Sequence, residues 1–339
     1  MLLGNIKRDY DVIIAGAGPA GLECAYQLDN SGLTVLLIEK NKIIGPKTCA
    51  GGLTYQVRGF DFPEDRTRSF SHQQIFLKNK KYEITLVNPL KTITRLDLGQ
   101  HLLNRIKNSG NIKILTDTSV SAIEKNKITT NKGIFHFKYL VGADGSNSTV
   151  RRHLGLKPEV TFGFYYEIPN VTGKCIWYLN FDLLNSGYIW VFPHKEHTNI
   201  GIFFNPVHLS SKKAREILNK YLTDNHYEFS EDGFKAAPEN HSYSGCVFNN
   251  IFLSGDAAGL ASKATGEGIS FALISGREIG KKILNPDYKM AELKRILTLK
   301  KRQERFLKIF EMSPRLQRLL FRIFVNLLKT KWFQSYIGN

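Results

Sequence analysis

Three glycines, Gly16, Gly18 and Gly21, stand at G-x-G-x-x-G spacing in the stretch DVIIAGAGPAGLECAYQL, where a strand-like pattern turns helix-like. At that spacing the first glycine permits a tight turn, the second lets backbone approach a pyrophosphate, and the third lets a helix pack on a strand. The helix that opens at Pro19 and Ala20 points unpaired N–H groups and its positive dipole end toward the phosphates. The next apolar run, LTVLLIEK, ends at Glu39 and Lys40. An acid at the end of a second strand accepts hydrogen bonds from an adenosine ribose. Strand, helix, second strand and acid in register read as a dinucleotide site.

Other candidate groups are scattered along the chain. Asp144 follows a strand in YLVGADGSNSTVRR, which runs into a basic helix start at Arg151 and Arg152. Gly255 and Asp256 follow a strand in IFLSGDAAGLASKATGEGISFALISG, ahead of a helix from about Gly268. Returning segments of this kind contact an extended cofactor, with Asp256 at a sugar-like chain and the helix start at its ring end. Tyr188, Trp190 and Phe192 alternate in GYIWVFPHKEHTNIG, so the three rings face one side of a sheet and form an apolar wall. Simple packing of a half-buried sheet produces the same pattern. His194 and His197 are three apart, but they follow a strand in a Lys- and Glu-containing turn without a third ligand, which reads as a solvated loop and no metal site.

The elements that must position these groups come from a chain of 339 residues, 42% apolar, long enough for one large or two interleaved domains. Cys24, Cys49, Cys175 and Cys246 lie far apart with no zinc spacing and no secretory leader, which indicates a reduced, cytoplasmic setting. No apolar run approaches the roughly twenty residues that span a bilayer. The net charge of +17 points to an anionic partner.

The three segments around Gly16, Asp144 and Asp256, in this order, resemble the FAD-dependent monooxygenase and reductase superfamily of the hydroxybenzoate hydroxylase type. That resemblance implies bound FAD, with Asp256 at the ribityl and pyrophosphate region and the backbone of Gly266, Gly268 and Ile269 at the flavin ring. TRLDLGQHLL resembles the segment whose arginine lies along the cofactor, which nominates Arg95; an ion pair with Asp97 is the alternative. Two further stretches, KTCAGGL and GYIWVFP, resemble the geranylgeranyl reductase family, which has a cysteine-glycine-glycine loop beside the flavin and a P-x-x-Y-x-W-x-F-P segment along the substrate cavity. The first proline of that segment falls at Asn185. The resemblance adds Cys49, Ala50 and Gly51 to the cofactor site, where small residues let backbone approach the ring. It places Gly52, Tyr188, Trp190 and Phe192 against the substrate, and implies hydride transfer from reduced flavin N5 to a prenyl double bond. Tyr188 and Trp190 would stabilise developing positive charge through their ring faces. Tyr188, Cys49 and an ordered water are all open as proton source, and a lone cysteine is also a small buried hydrophobe.

One full dinucleotide fingerprint leaves the electron donor, NAD(P)H or reduced ferredoxin, to dock transiently. From residue 281 onward fifteen Lys or Arg face four Asp or Glu, in two amphipathic helices broken near Pro314. Such helices lie on an anionic membrane surface, or cover the protein's own apolar face. No nucleic-acid motif accompanies the charge.

The expected fold is α/β. A Rossmann-like FAD-binding domain (1–75, 92–158, 247–285) is interleaved with an antiparallel-sheet substrate domain (76–91, 159–246), and basic helices (286–339) follow. A flavin monooxygenase or halogenase is the second reading, since halogenases carry a related W-x-W-x-I-P strand. A non-catalytic membrane-associated flavoprotein is the third.

Overall fold

Apolar runs bounded by glycine and asparagine turns make the centre of the first sheet. Strand Asp9–Ala15 pairs in parallel with Val35–Ile38 on one side and Gly133–Gly142 on the other. Ile112–Leu115 and Ile251–Leu253 extend the parallel sheet outward from those two neighbours. Ile13, Ile14, Leu36, Leu37 and Leu140 are wholly buried, as strands covered on both faces require. The structure, a computed structural model, describes residues 8–54, 57, 59–169, 173–311 and 314–338.

Helix Pro19–Gln27 leaves the end of the first strand, and helix Ile269–Leu284 follows the segment after the last. The two helices touch backbone to backbone: a Cβ at Gly276 would fall 2.2 Å from the Ala20 carbonyl oxygen. The helices run alongside each other with their starts offset, since Gly276 meets Ala20 and Gly280 meets Gln27, and both open at the carboxyl ends of the parallel strands, where ligands bind in open α/β sheets. Arg151 and Arg152 do not start a helix; they lie in the last turn of Thr149–His153. Arg151 is buried because its guanidinium donates to the carbonyls of Ala257, Lys157 and Ser242 at 2.7–3.1 Å, pinning three returning segments together.

The second sheet is antiparallel apart from one parallel pair, Ile176–Leu179 with Arg68–Leu77. Tyr188, Trp190 and Phe192 of strand Tyr188–Pro193 enter one apolar cluster, while Ile189 and Val191 pack on the opposite face with helix Ser211–Asp224. The sheet also takes in Gly52–Leu53 and the whole of Arg68–Leu77. Pairing thus assigns to it residues that the boundary at 75 and 76 leaves with the first part.

Three C-terminal helices follow: Ala291–Phe310, Pro314–Leu328 and the short Lys331–Gly338, one more than the amphipathic pattern suggests. Residues 312 and 313, at the expected break, lie outside the described residues. Phe310, Phe321, Val325 and Leu328 cover Ile75, Tyr82 and Ile84 of the second sheet. An opposite stripe, Leu319, Ile323 and Leu327, is 57%, 49% and 40% exposed, and Trp332 beyond it 72%. Among the described residues no helix is long and apolar enough to cross a membrane.

Candidate functional site

A cleft of about 610 Å³ runs along the carboxyl ends of the parallel strands. Gly16, Gly18, Pro19, Ala20, Glu39 and Lys40 line it around the glycine loop, with Asp144 and Gly255 against that loop, and Arg95, Cys49, Asp256, Gly266, Gly268 and Ile269 line it farther along. Residues more than two hundred positions apart are thus brought to one continuous surface.

The glycine loop is shaped by contact. Gly16 has φ +102°, and a Cβ there would lie 2.3 Å from the Ala143 carbonyl oxygen. Gly21 stands behind the lining, where a Cβ would strike the Gly16 carbonyl oxygen at 1.9 Å. Gly18 differs: it is extended (φ −77°, ψ −177°) and a Cβ would meet nothing within 4 Å, so its missing side chain leaves open cleft. Glu39 braces the loop, accepting the Ala17 N–H on Oε2 and the Asn41 N–H on Oε1, both at 2.9 Å.

Beside the glycine loop, Asp144 accepts the Thr149 N–H at 2.7 Å on one carboxylate oxygen, while its other oxygen is buried without a partner. Burial pushes its carboxyl above the usual range, opposed by hydrogen bonds from Ser148 and the helix backbone. Arg95 opens helix Arg95–Asn104, and its Nε is likewise buried without a partner. Among the described residues no ion pair joins Arg95 to Asp97, which instead bonds its cap residue Thr94 and lies 3.9 Å from Arg66. At the far end Asp256 binds the Lys47 Nζ at 2.9 Å and the Ser146 hydroxyl at 3.2 Å. Helix Ile269–Leu284 begins after Gly268 with no side-chain cap, leaving its N–H groups to the cleft.

These residues fit FAD. Open space at Gly18, two uncapped helix starts, an acid at the second strand and the unpartnered Arg95 Nε and Asp144 oxygen form a long, polar, backbone-rich cradle.

The KTCAGGL loop is tied to the second sheet. The Cys49 Sγ accepts the Gly51 N–H at 3.4 Å, and the Cys49 carbonyl accepts from Asn199 Nδ2 at 3.2 Å. Asn199 in turn accepts the Trp190 indole N–H at 2.7 Å. Ala50 and Gly51 do not line the cleft. Gly51 (φ +71°) makes room for the Ile93 carbonyl and the His194 ring, and Gly52 for the Phe192 ring at 2.8 Å. The small residues here admit protein side chains.

His194 and His197 do not form a solvated loop. His194 is 2% exposed, stacks on His197 at 4.8 Å, and bonds the Ala50 carbonyl through Nε2 at 3.1 Å. Burial, then the neighbouring His197, lower its pKa to about 4, so the ring is neutral. Asn185 has φ +52°, a value closed to proline, which accounts for the departure from P-x-x-Y-x-W-x-F-P.

The aromatic wall is closed on itself. Trp190 and Phe192 pack with Phe70, Leu90, Tyr165 and Phe203, and neither the cleft nor its neighbouring cavity is lined by Tyr188, Trp190 or Phe192. The cluster nonetheless abuts the far end of the cleft, since Tyr188 donates to the Thr265 carbonyl at 2.6 Å and a Cβ at Gly266 would meet Phe203 at 3.0 Å. Burial, with Glu239 and Glu267 nearby, pushes the Tyr188 hydroxyl well above its ordinary pKa. The neighbouring cavity, about 440 Å³, shares Lys47, Cys49 and Arg95 with the cleft and reaches Tyr165, His197, Asn199 and Lys235.

Lys47 and Glu239, both on the cleft, were not singled out by sequence. Lys47 sits inside the quoted KTCAGGL, but one lysine in so basic a chain gives no contrast. The segment AAPEN around Glu239 carries no motif.

The family profile described as pyridine nucleotide-disulphide oxidoreductase matches residues 13–153. A digeranylgeranylglycerophospholipid reductase from Methanococcus vannielii is 30% identical over 319 residues, covering 84% of this chain and 80% of its own. A geranylgeranyl diphosphate reductase from Rhodobacter capsulatus is 26% identical over 292 residues, 79% of this chain and 73% of its own. A crystal structure of a geranylgeranyl bacteriochlorophyll reductase-like protein from Thermoplasma acidophilum superposes with a TM-score of 0.80 over 97% of this chain and 96% of that one, at 21% identity. A halogenase and a brominase share the fold at 16% identity.

Proposed function

The chain belongs to the geranylgeranyl reductase family of FAD-dependent oxidoreductases, and on that premise we propose that it hydrogenates isolated double bonds of a geranylgeranyl chain carried on a lipid or isoprenoid. The observation that carries this reading is the bond between Tyr188 and Thr265, which sets an apolar aromatic cluster directly against the ring end of the cleft. When bound and reduced, FAD supplies the hydride, from N5, to one alkene carbon. Gly16, Gly18, Glu39, Arg95, Asp144, Asp256 and the backbone of Gly266 to Ile269 hold that cofactor, and Lys47 fixes the Asp256 carboxylate.

The chain's own residues do the rest. Each CH2 of a prenyl tail moved from water into the aromatic cluster contributes about 0.8 kcal/mol, so the tail needs few polar handles. The faces of Trp190 and Tyr188, both members of that cluster, stabilise positive charge growing on the alkene. Reducing equivalents come from NAD(P)H or a reduced ferredoxin, and the basic C-terminal helices hold the protein at an anionic membrane where its substrate resides.

The test is anaerobic. Dithionite-reduced holoprotein is mixed with geranylgeranyl diphosphate or a digeranylgeranyl glycerophospholipid. The oxidised-flavin spectrum returns without oxygen, and the product gains two hydrogens per double bond by mass spectrometry. No reoxidation with any prenyl substrate sinks the reading, and oxygen-dependent hydroxylation or halogenation would install the monooxygenase one in its place.

A further inference from the structure

Glu239 has no role in the site so far, yet it occupies its most informative position. It stands on the edge strand Lys235–Asn240 and lines the cleft. Its Oε2 is buried with no hydrogen-bond partner. A Cβ at Gly266 would meet this oxygen at 3.2 Å and the Phe203 ring at 3.0 Å, while one at Gly163 would meet Glu239 Oε1 at 3.7 Å and the Trp190 ring at 3.6 Å. Both carboxyl oxygens therefore lie in the seam between the ring end of the cleft and the aromatic cluster.

A reduction of an isolated double bond needs a proton at that seam as well as a hydride. Tyr188 is poorly placed to give it, since its O–H is already donated to the Thr265 carbonyl. We propose that Glu239 is the catalytic proton donor of the reduction. This rests on the reductase reading above. The alkene π pair forms a C–H bond with the Glu239 proton at the less substituted carbon, and the carboxyl O–H bond breaks to leave a carboxylate. The more substituted carbon, positive as that happens, takes the hydride that reduced FAD supplies, and solvent returns a proton to Glu239 before the next cycle.

The groups facing Glu239 keep that proton in place. Asp256, on the turn after the last strand, adds negative charge, and Lys47 opposes it but is engaged by Asp256. Tyr188 and Glu267 border the same seam, and Glu267 is occupied by the Thr54 and Ser270 hydroxyls. On the Val160–Ile168 strand, Thr161 pairs with Glu239 in register and donates its hydroxyl to the Glu239 carbonyl at 3.5 Å, and Gly163 leaves room for the carboxyl. Burial first, then Asp256, raise the Glu239 pKa to about 8, so the carboxyl is protonated at neutral pH.

The experiment uses FAD-loaded protein, wild type, E239Q and E239D, with two readouts. Infrared difference spectra of wild type minus E239Q show a protonated-carboxyl band that disappears as pH rises through about 8. In anaerobic single turnover with geranylgeranyl diphosphate, E239Q reoxidises at least ~100-fold more slowly than wild type, and E239D keeps part of the rate. An absent band, or E239Q at the wild-type rate, overturns the donor role while leaving the reductase reading standing. A wild type that shows the band but is reoxidised by no prenyl compound overturns the reductase reading and the donor role with it. Should E239Q not hold FAD, the wild-type pH profile decides: a rate that falls above pH ~8 by one proton supports the proposal, and a flat profile overturns it.

Discussion

Gly16 and Gly18 look alike in sequence and do different work. Gly16 is forced by protein, since φ +102° and the Ala143 carbonyl at 2.3 Å exclude any side chain, whereas Gly18 is extended and faces empty cleft. G16A therefore lowers both stability and FAD content. G18A folds with an unchanged Tm but weakens FAD binding by at least ~10-fold, because the new methyl keeps phosphate from the backbone. Thermal unfolding of the apoproteins and flavin titration separate the two, and a G18A protein with wild-type affinity would remove the pyrophosphate from this turn. Glu239 gives a second prediction at this scale. With its pKa raised from 4.5 to about 8, the folded protein holds a proton that the unfolded chain has released across that window. Stability from this group is complete below pH 4.5 and is lost as pH rises through 8. The difference in Tm between wild type and E239Q should slope accordingly across the window, and a flat difference would show the carboxyl to be ordinary.

Among elements, helix Pro314–Leu328 faces two ways. Phe321, Val325 and Leu328 seal the second sheet, and Arg318 bonds Asp182 at 2.8 Å, while Leu319, Ile323 and Leu327 remain outside. Phe321→Ala should cost about 3–5 kcal/mol through the cavity it leaves. Serine at the three outer positions should barely change Tm but should abolish the co-sedimentation with anionic phospholipid vesicles proposed for the wild type, which should weaken as salt is raised. Equal vesicle binding by the triple variant would leave the stripe without a membrane role. The apolar strands, the glycine loop and the aromatic alternation were legible because each is a local pattern whose period or spacing determines its conformation. The buried His194, the pinned Arg151 and the isolated Glu239 were not, because each environment is assembled by distant chain. His194 rests on Ala50, 144 residues away, and Arg151 on Ser242, 91 away. Likewise Gly51 and Gly52 announced space, but what fills it, the Ile93 carbonyl and the His194 and Phe192 rings, comes from distant chain.

Over the whole molecule, the cleft exists only because the chain passes repeatedly between its two sheets. Strand Lys235–Asn240 belongs to the second sheet, yet the Pro238 carbonyl accepts from Ser146 at 2.8 Å and Asn240 Nδ2 donates to the Asp256 carbonyl at 2.9 Å. Arg151 adds three more ties at the same junction. Neither part can open there without unpairing buried polar groups of the other, at a cost of about 1–3 kcal/mol for each. The two sheets should therefore unfold together, although each has its own apolar core. Trp177 and Trp190 report on the second sheet, whereas bound FAD reports on the cleft of the first. In a thermal melt, tryptophan emission and flavin release should share one midpoint. Because residues of both sheets line the cleft proposed for FAD, free FAD at a hundred times its Kd should stabilise that single transition by about 2.7 kcal/mol and carry both signals upward together. A tryptophan transition that stays put while the flavin midpoint moves would mean that the second sheet folds independently of the cofactor, and the seam where Glu239 sits would then be a contact between separable units.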